Sequence, residues 1–188
     1  MRTRIMSAAM AEMDEHGVRF TMSDLAARLA ISKRTLYEHF ESKEVLISSI
    51  VEAVISDLRV QRCDIVNDPD LDLREKLVRM LTVKSKVFSD VSDRVKMELS
   101  QQYPGLWEKA QKSQEEQWDV IDNVIKEGIA AGCFRPIFVP VLRKVLQGAV
   151  SEIVDYDFLL QHRTSFHEMI GHITDIILYG IMAPEKQG

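Results

Sequence analysis

Residues 21–46, TMSDLAARLAISKRTLYEHFESKEVL, contain the signals that decide the fold of this chain of 188 residues. Thr21 and Asp24 form a T-x-x-D pattern, close to the capping box that opens a helix. Ser32 is a good N-cap for a second short helix, and Ser42 is one for a third. The stretch therefore predicts two short helices joined by a tight turn and followed by the start of another helix.

The basic residues of this stretch lie where a helix normally disfavours them. Lys33 and Arg34 fall in the first turn after Ser32, and Lys43 falls in the first turn after Ser42. The positive end of the helix dipole makes a cation unfavourable there, unless a bound anion offsets the cost. Phosphate is the obvious anion, so the pattern favours a DNA backbone as partner. The alternative is an αα-hairpin whose charges are simply solvated.

From Ile5 to Leu46 the chain resembles the DNA-binding domain of the TetR family of one-component regulators. Two positions depart from the family pattern: Ala30 stands where Gly is frequent, and Arg34 where a small residue is frequent. Because Ala tolerates a left-handed conformation less well than Gly, we expect a slightly different or strained turn. The matching residues are Ile5, Ala9, Met13, His16, Gly17, Thr21, Met22, Leu25, Ala26, Ser32, Lys33, Thr35, Leu36, Tyr37, Phe40, Ser42, Lys43 and Glu44.

The resemblance implies that the second helix of the motif enters the major groove of double-stranded DNA. Arg34 is the candidate for base recognition, because a guanidinium can bind O6 and N7 of guanine together. A phosphate contact is its alternative role, and Thr35 would approach base edges beside it. The expected DNA-binding residues are Thr21, Ser32, Lys33, Arg34, Thr35, Tyr37, His39 and Lys43.

Residues 1–46, which we call the head, carry no net charge, so the net negative charge of the chain lies outside them. The head carries 7 Lys/Arg and 7 Asp/Glu, whereas the remaining residues carry 17 and 22 and supply the whole net charge of −5. Between Arg28 and Lys43 there are four basic and two acidic residues. A locally basic head on an acidic chain limits indiscriminate DNA binding and predicts that the specific complex weakens strongly with salt.

Beyond the head the chain has the pattern of successive helices. Apolar residues recur at helical spacing, Pro and Gly are few, and period-two alternation is rare. We predict an all-α fold of about nine helices. Residues 1–46 would form a three-helix helix-turn-helix DNA-binding domain, and residues 47–188 a helical effector-binding and dimerisation domain. The fourth helix is expected to end near Cys63, and the seventh to begin at Leu106. A single helix is expected to span residues 141–160, and the last to span residues 165–182.

The last two predicted helices carry more apolar residues than one side of a small bundle needs. In the TetR family these helices pair with their copies, which implies a homodimer. A dimer that binds two half-sites of a symmetric operator also needs its two heads about 34–36 Å apart, or a multiple of that distance. Gly148, Gly171 and Gly180 would let helices approach closely. The alternative is that the apolar residues only close the monomer core. The interface candidates are Val145, Val150, Ile153, Phe158, Phe166, Ile170, Ile173 and Ile177.

The central helices are expected to hold a small-molecule effector. Aromatic and Met side chains with a few polar groups suit a mostly apolar ligand. Plain core packing is the simpler interpretation of any one of these residues. The candidates are Met80, Lys84, Phe88, Met97, Tyr103, Trp107, Trp118, Ile121 and Phe134.

The residues favour no metal, cofactor, enzymatic or membrane function. His162, His167 and His172 are spaced by five, which places neighbours about 140° apart around a helix and disfavours a shared metal. No nucleophile–base pattern or Gly-rich phosphate loop indicates an enzyme or a cofactor. No apolar run reaches about 18 residues and no signal peptide is recognisable, so we expect a cytoplasmic protein. Cys63 and Cys133 are isolated and are expected to be ordinary thiols.

The sequence thus predicts a repressor that binds a palindromic operator as a homodimer. A small effector would tilt the fourth helix, change the separation of the heads and release the DNA. Two other hypotheses remain open. One is an activator, or a regulator without a ligand, that has the same head. The other is a helical protein-interaction module whose hairpin never touches DNA.

Overall fold

The computed structural model describes residues 1–87, 92–152 and 156–181, without the side chains of Val150, Ser151 and Tyr156. These ranges contain ten α-helices and no β-strand, which confirms the predicted all-α class with one helix more than expected. The helices are α1 (Arg2–His16), α2 (Met22–Leu29), α3 (Lys33–His39), α4 (Lys43–Asn67), α5 (Leu73–Leu81), α6 (Asp93–Gln102), α7 (Pro104–Ala130), α8 (Val139–Glu152), α9 (Tyr156–His162) and α10 (Phe166–Ile181).

Two helix ends differ from the prediction for local reasons. α4 continues to Asn67, one turn beyond Cys63, where the Asn67 side-chain amide donates to the Cys63 carbonyl oxygen at 2.9 Å. α7 begins at Pro104 instead of Leu106. Proline suits the first position of a helix because the amide hydrogen that it lacks would have no partner there.

The single helix predicted over residues 141–160 is wrong, because the structure has two helices, α8 and α9. Apolar residues continue at helical spacing through this stretch, so periodicity alone did not indicate a break. Ile153 belongs to the segment between them and lies outside the described residues, as does Phe88 after α5.

The chain forms two compact units. The first comprises residues 1–57 and 85–112, and the second comprises residues 58–84 and 113–188. The predicted head lies wholly within the first unit, and a division of the chain after residue 46 falls inside α4. That division stays a prediction.

The core of the first unit is built from the apolar faces of α1 to α4 and α6. Leu36 and Phe40 are four residues apart and both are buried, as the helical spacing predicted. They pack in one cluster with Ile5, Ala9, Met13, Leu25, Leu29, Leu46, Ile47, Ile50, Val95 and Leu99. This cluster holds α3 by its inner face. We call α3 the recognition helix because it is the helix predicted to enter the major groove.

The core of the second unit joins residues of α5, α7, α8 and α10. Phe134 follows α7 and is buried, with its ring against Gly128. A Cβ atom at Gly128 would lie 2.1 Å from that ring, so this contact requires glycine. The same cluster contains Leu77, Met80, Trp118, Ile121, Val124, Ile125, Leu146, Ile177, Leu178 and Ile181.

Candidate nucleic-acid interface

The start of α2 is a complete capping box, as the T-x-x-D pattern predicted. The Thr21 hydroxyl oxygen accepts from the Asp24 amide at 3.2 Å, and Asp24 Oδ2 accepts from the Thr21 amide at 2.8 Å. The hydrogen bond from the Thr21 hydroxyl is the main reason that the pKa of the Asp24 carboxyl lies below its usual value. Thr21 is exposed, so its position at the helix start is held while its side chain stays at the surface.

The turn between α2 and α3 is left-handed at Ala30. The residue has φ 53° and ψ 42°, and the amide of Ile31 donates back to the Ala26 carbonyl oxygen at 3.1 Å. Glycine adopts this conformation without the steric cost that a Cβ atom adds. The strain expected from Ala in place of Gly therefore lies in the left-handed backbone of Ala30 itself.

The recognition helix α3 turns its polar residues outward. The Ser32 hydroxyl oxygen accepts from the Thr35 amide at 3.0 Å and caps the helix. Lys33, Arg34 and Tyr37 are exposed, while Leu36 is buried beneath them. The outer face of α3 is therefore a polar surface that is anchored by a buried leucine.

Arg34 is the most open of these side chains. It is 90% exposed, and its contact is an ion pair from Nε to Glu38 Oε1 at 3.3 Å on the same helix. An exposed pair of this kind contributes little to stability, so a DNA base or phosphate can replace it at small cost. Glu38 is itself exposed at the outer face of α3.

Lys43 has a partner within the protein. Its Nζ donates to the Val18 carbonyl oxygen at 2.5 Å and lies 4.5 Å from the centre of the Phe20 ring. Partial burial lowers the pKa of this ammonium group. A lysine has three donor hydrogens, so the contact with Val18 leaves donors for the predicted phosphate.

Arg2 was missed by the sequence reasoning, although it positions the end of the recognition helix. Its Nη1 donates to the carbonyl oxygen of His39 at 2.5 Å, and its guanidinium lies 4.1 Å from the centre of the Phe40 ring. His39 itself is half-buried. The available signal was a cation in the first turn of α1, where the dipole disfavours it.

Arg28 does not add to the basic surface of α3. Its Nε donates to the buried carboxylate of Glu12 at 2.5 Å, and its Nη2 contacts Glu15. The Glu12 hydrogen bond is the main cause of its raised pKa. The positive charge predicted between residues 28 and 43 therefore lies on Lys33, Arg34 and Lys43.

Helix α6 holds the loop between α1 and α2. Glu98 Oε2 accepts from the buried Val18 amide at 2.7 Å, and a Cβ atom at Gly17 would lie 2.4 Å from the same oxygen. Arg94 Nη2 donates to the Asp14 carbonyl oxygen at 2.7 Å, near the end of α1. No sequence signal pointed to these contacts, because the partners are about 80 residues apart.

Four of the nine effector candidates lie in one cluster. Met80, Trp118, Ile121 and Phe134 are all buried in the core of the second unit. The exposed Lys84 belongs to the same unit, and Phe88 lies outside the described residues. The half-buried residues Met97, Tyr103 and Trp107 belong to the first unit. Ligand contact stays a prediction for the whole set.

The dimer candidates differ widely in exposure. Val145 is 55% exposed and Phe158 is 38% exposed, whereas Ile170 and Ile177 are buried in cores of the monomer. Phe166 and Ile173 are half-buried; Ile153 and the side chain of Val150 lie outside the described residues. The buried members fit the alternative in which these residues close the monomer core.

Other apolar residues of α8, α9 and α10 are also exposed. Ile176 is 72% exposed and Tyr179 is 86% exposed. A Cβ atom added at Gly148, Gly171 or Gly180 would meet no heavy atom within 4 Å, so these glycines face open space. The other exposed apolar residues here are Val141 and Leu160.

Three further observations bear on other kinds of site. Over the described ranges, no group of three or more His, Cys, Asp or Glu could hold a metal ion. In the same part of the chain, no helix has the length and apolarity that a membrane crossing requires. Cys63 and Cys133 are exposed thiols that form no disulfide.

Comparison with known proteins agrees with this geometry. Residues 5–50 match the family model described as bacterial regulatory proteins, tetR family. The chain is also similar to the "Uncharacterized HTH-type transcriptional regulator YvaF" of Bacillus subtilis strain 168. The two are 27% identical over 186 residues, which cover 99% of this chain and 98% of that protein.

Solved structures share the fold over nearly the whole chain. A regulator of the TetR/AcrR family from Thermobifida fusca has a TM-score of 0.69 at 22% identity, over 95% of this chain and 97% of that one. A protein from Saccharomonospora viridis, solved in complex with choline, has a TM-score of 0.73 at 20% identity, over 97% and 98% of the two chains.

FadR from Bacillus subtilis, solved in complex with stearoyl-CoA, has a TM-score of 0.68 at 19% identity. The match covers 96% of this chain and all of that one. The proteins that this chain is similar to are transcriptional regulators, not enzymes. Together with the exposed outer face of α3, these findings lead to one conclusion: residues 5–50 match the DNA-binding domain of the TetR family, and the chain is similar over nearly its whole length to a helix-turn-helix transcriptional regulator.

Proposed function

We propose that this protein is a cytoplasmic repressor that binds a palindromic operator as a homodimer and is released by a small-molecule effector. The observation that carries the proposal is the outer face of α3. Lys33, Arg34 and Tyr37 are exposed there, while Leu36 fixes the helix to the core. A rigid helix with exposed cations is the kind of element that reads a major groove.

The proposed DNA contacts fall into two groups. Arg34 and Thr35 approach base edges, because they lie in the first turn of α3, whose N-terminal residues reach the bases in this motif. The other residues hold phosphates and position the helix without reading sequence. This second group is Thr21, Ser32, Lys33, Tyr37, His39 and Lys43.

A homodimer is supported by the exposed apolar side chains of the last helices. Val141 and Val145 are four residues apart on α8, and Ile176 and Tyr179 are three apart on α10, so each pair shares a helix face. All four are more than half exposed. Burying such residues against a second copy would remove apolar surface from water.

An effector is supported by two proteins of the same fold. One was solved in complex with stearoyl-CoA and the other with choline. In this chain α4 begins shortly after the recognition helix and continues without a break to Asn67. We propose that a ligand tilts α4. It must bind the released state more tightly, since equal affinity for both states shifts nothing.

The decisive experiment selects binders from a random double-stranded DNA pool with the full-length protein at moderate salt. We expect enrichment of a two-fold symmetric motif with half-sites spaced by whole helical turns. A pool without enrichment, together with weak and sequence-independent binding, would contradict the proposal. It would favour the protein-interaction module instead.

The sign of regulation requires a reporter gene that carries the selected motif. A repressor lowers transcription when the motif overlaps the promoter, and an activator raises it from an upstream position. A regulator without a ligand keeps the same operator affinity in the presence of every candidate effector.

A further inference from the structure

Arg62 is a buried cation that has no acidic partner among the residues that the structure describes. It lies on α4 in the second unit, with 5% of its surface exposed. Nε donates to the carbonyl oxygen of Met80 at 3.3 Å, and Nη1 donates to Gln114 Oε1 at 3.2 Å. Both acceptors are neutral. Arg62 forms no ion pair with any acidic residue in the ranges that the structure describes.

The hydrogen bonds of Arg62 do not compensate the cost of burying its charge. Arginine is almost never buried unless its charge is paired. A guanidinium has five donor hydrogens, and here two of them have acceptors, both at the long end of the hydrogen-bond range. Burial alone lowers the pKa of Arg62 to about 10, without a neighbouring carboxylate to raise it. The group therefore remains charged at neutral pH, and no side chain of the described ranges supplies a counter-anion.

One structural role for Arg62 is to cap α5. Met80 lies in the last turn of that helix, where the dipole is weakly negative. That role accounts for one hydrogen bond. It leaves the remaining donors and most of the charge uncompensated, so it does not explain why a cation is buried at this position.

The surroundings of Arg62 indicate what kind of molecule would supply its counter-anion. Met80 is buried in the apolar core cluster of the second unit, together with Trp118 and Ile121. Gln114 lies one turn before Trp118 on α7 and adds a side-chain amide beside the guanidinium. A cation next to an amide at the margin of apolar side chains fits a molecule with an anionic end and an apolar body.

We propose that Arg62 binds the anionic end of the effector, a carboxylate or phosphate attached to an apolar group. This inference rests on the effector in the proposed function and names its chemical class. A cationic ligand would place like charges together in a poorly solvated region, and a neutral one would leave the guanidinium unpaired. Because Arg62 lies on α4, the same ion pair would act on the helix that follows the recognition helix.

The first test uses the DNA-free protein and a matched panel of alkyl probes. At each of several chain lengths the panel contains a carboxylate, a phosphate monoester, a primary alcohol and a trimethylammonium, with inorganic phosphate as a probe of the head group alone. Calorimetric titration should show one of the two anions binding roughly 10- to 100-fold more tightly than the alcohol. Which anion binds more tightly separates a fatty acid from a phosphate ester.

The second test repeats the titration with variants. Arg62→Met should remove the preference for the anion over the alcohol, and Arg62→Lys should retain part of it. Arg59→Met is the matched control, because Arg59 is exposed on the same helix. We expect that variant to keep the full preference. If Arg62→Met does not fold, Arg62→Lys and the panel on the parent protein decide the question.

Equal affinity for the anion, alcohol and ammonium probes would overturn the proposal. So would a panel in which no anion binds, or an Arg62→Met variant that keeps the full preference and only lowers the melting temperature, as a plain helix cap would. These outcomes are independent of the proposed function, because the titration contains no DNA. Failure of operator selection would contradict the regulator, whereas failure of the titration would contradict the anionic effector alone.

Discussion

At the scale of single residues, Ala30 is the position where the chain accepts a local cost to form its motif. A left-handed L-residue costs roughly 1–2 kcal/mol relative to glycine. Ala30 is exposed, so no packing contact offsets this cost. The turn is held by its neighbours: two amides at the end of α2 bond back to the last turn of that helix.

We expect Ala30→Gly to stabilise the protein. Relief of the left-handed strain is partly cancelled by the greater freedom of glycine in the unfolded chain, about 0.4–1 kcal/mol. The net gain in the free energy of unfolding should be at most about 1.6 kcal/mol. Urea unfolding followed by circular dichroism measures it.

The matched control for this change is Ala27→Gly. Ala27 is exposed in the interior of α2, so glycine there should destabilise by about 1 kcal/mol. The opposite signs of the two substitutions would identify the left-handed turn as the cause. A loss of stability in both variants would contradict the assigned turn.

At the scale of elements, two residues of α3 are expected to contribute differently to DNA binding: Lys33 to affinity for any sequence, and Arg34 also to sequence preference. Lys33→Ala should weaken binding to all DNA sequences alike and lower the salt slope by about one. Arg34→Ala should also relax the preference at one base pair, at a cost of roughly 1–3 kcal/mol. Fluorescence anisotropy over a salt series, on the selected operator and its single-base variants, measures both effects.

Lys126→Ala is the control for the loss of one positive charge, because Lys126 is exposed on α7 and far along the chain from the head. It should leave the operator preference unchanged. If the variants at Lys33 and Arg34 both bind every sequence like the parent protein, then α3 is not the reading element.

The contact of α6 with the loop after α1 gives a second prediction about elements. Glu98→Ala removes the acceptor of the buried Val18 amide. An unsatisfied buried amide costs about 1–3 kcal/mol, so the loop should open more often. Hydrogen exchange at the Val18 amide should accelerate accordingly.

Glu108→Ala is the matched control for this loop, since Glu108 is an exposed glutamate on α7. It should not change the exchange rate. Unaltered exchange at Val18 in the Glu98 variant would show that the hydrogen bond does not hold the loop.

At the scale of the whole molecule, the exposed apolar residues of α10 are expected to govern assembly. Ile176→Glu should weaken the dimer roughly tenfold or more, because an unpaired carboxylate would be buried in the interface. Ile176 is 72% exposed in the monomer, so the fold itself should persist. Sedimentation equilibrium and operator titration measure the two consequences.

Val60→Glu adds the same charge at an exposed apolar position of α4. We expect this control to leave the dimer intact. A parent protein that is monomeric at the concentrations at which it binds its operator would contradict the proposed symmetric dimer.

The local elements of the head could be predicted from the sequence. Thr21, Ser32 and Ser42 indicated the starts of three helices, and the structure has α2, α3 and α4 directly after them. A helix cap is an interaction between residues three positions apart, so it is encoded by neighbours in the chain. The buried positions of Leu36 and Phe40 followed from helical spacing for the same reason.

The contacts that hold the head and the buried cation were decided by tertiary structure alone. Glu98 reaches Val18 across 80 positions in the chain, and Arg2 reaches His39 across 37. Arg62 resembles any exposed arginine in the sequence, and its burial depends on how α5 and α7 pack around it. Short-range patterns specify helix type and ends, whereas burial and distant partners depend on which faces meet. For that reason the sequence by itself determined the all-α class, the helix starts of the head and its match to the TetR family model. Only the tertiary structure decided which charges are buried and what positions the recognition helix.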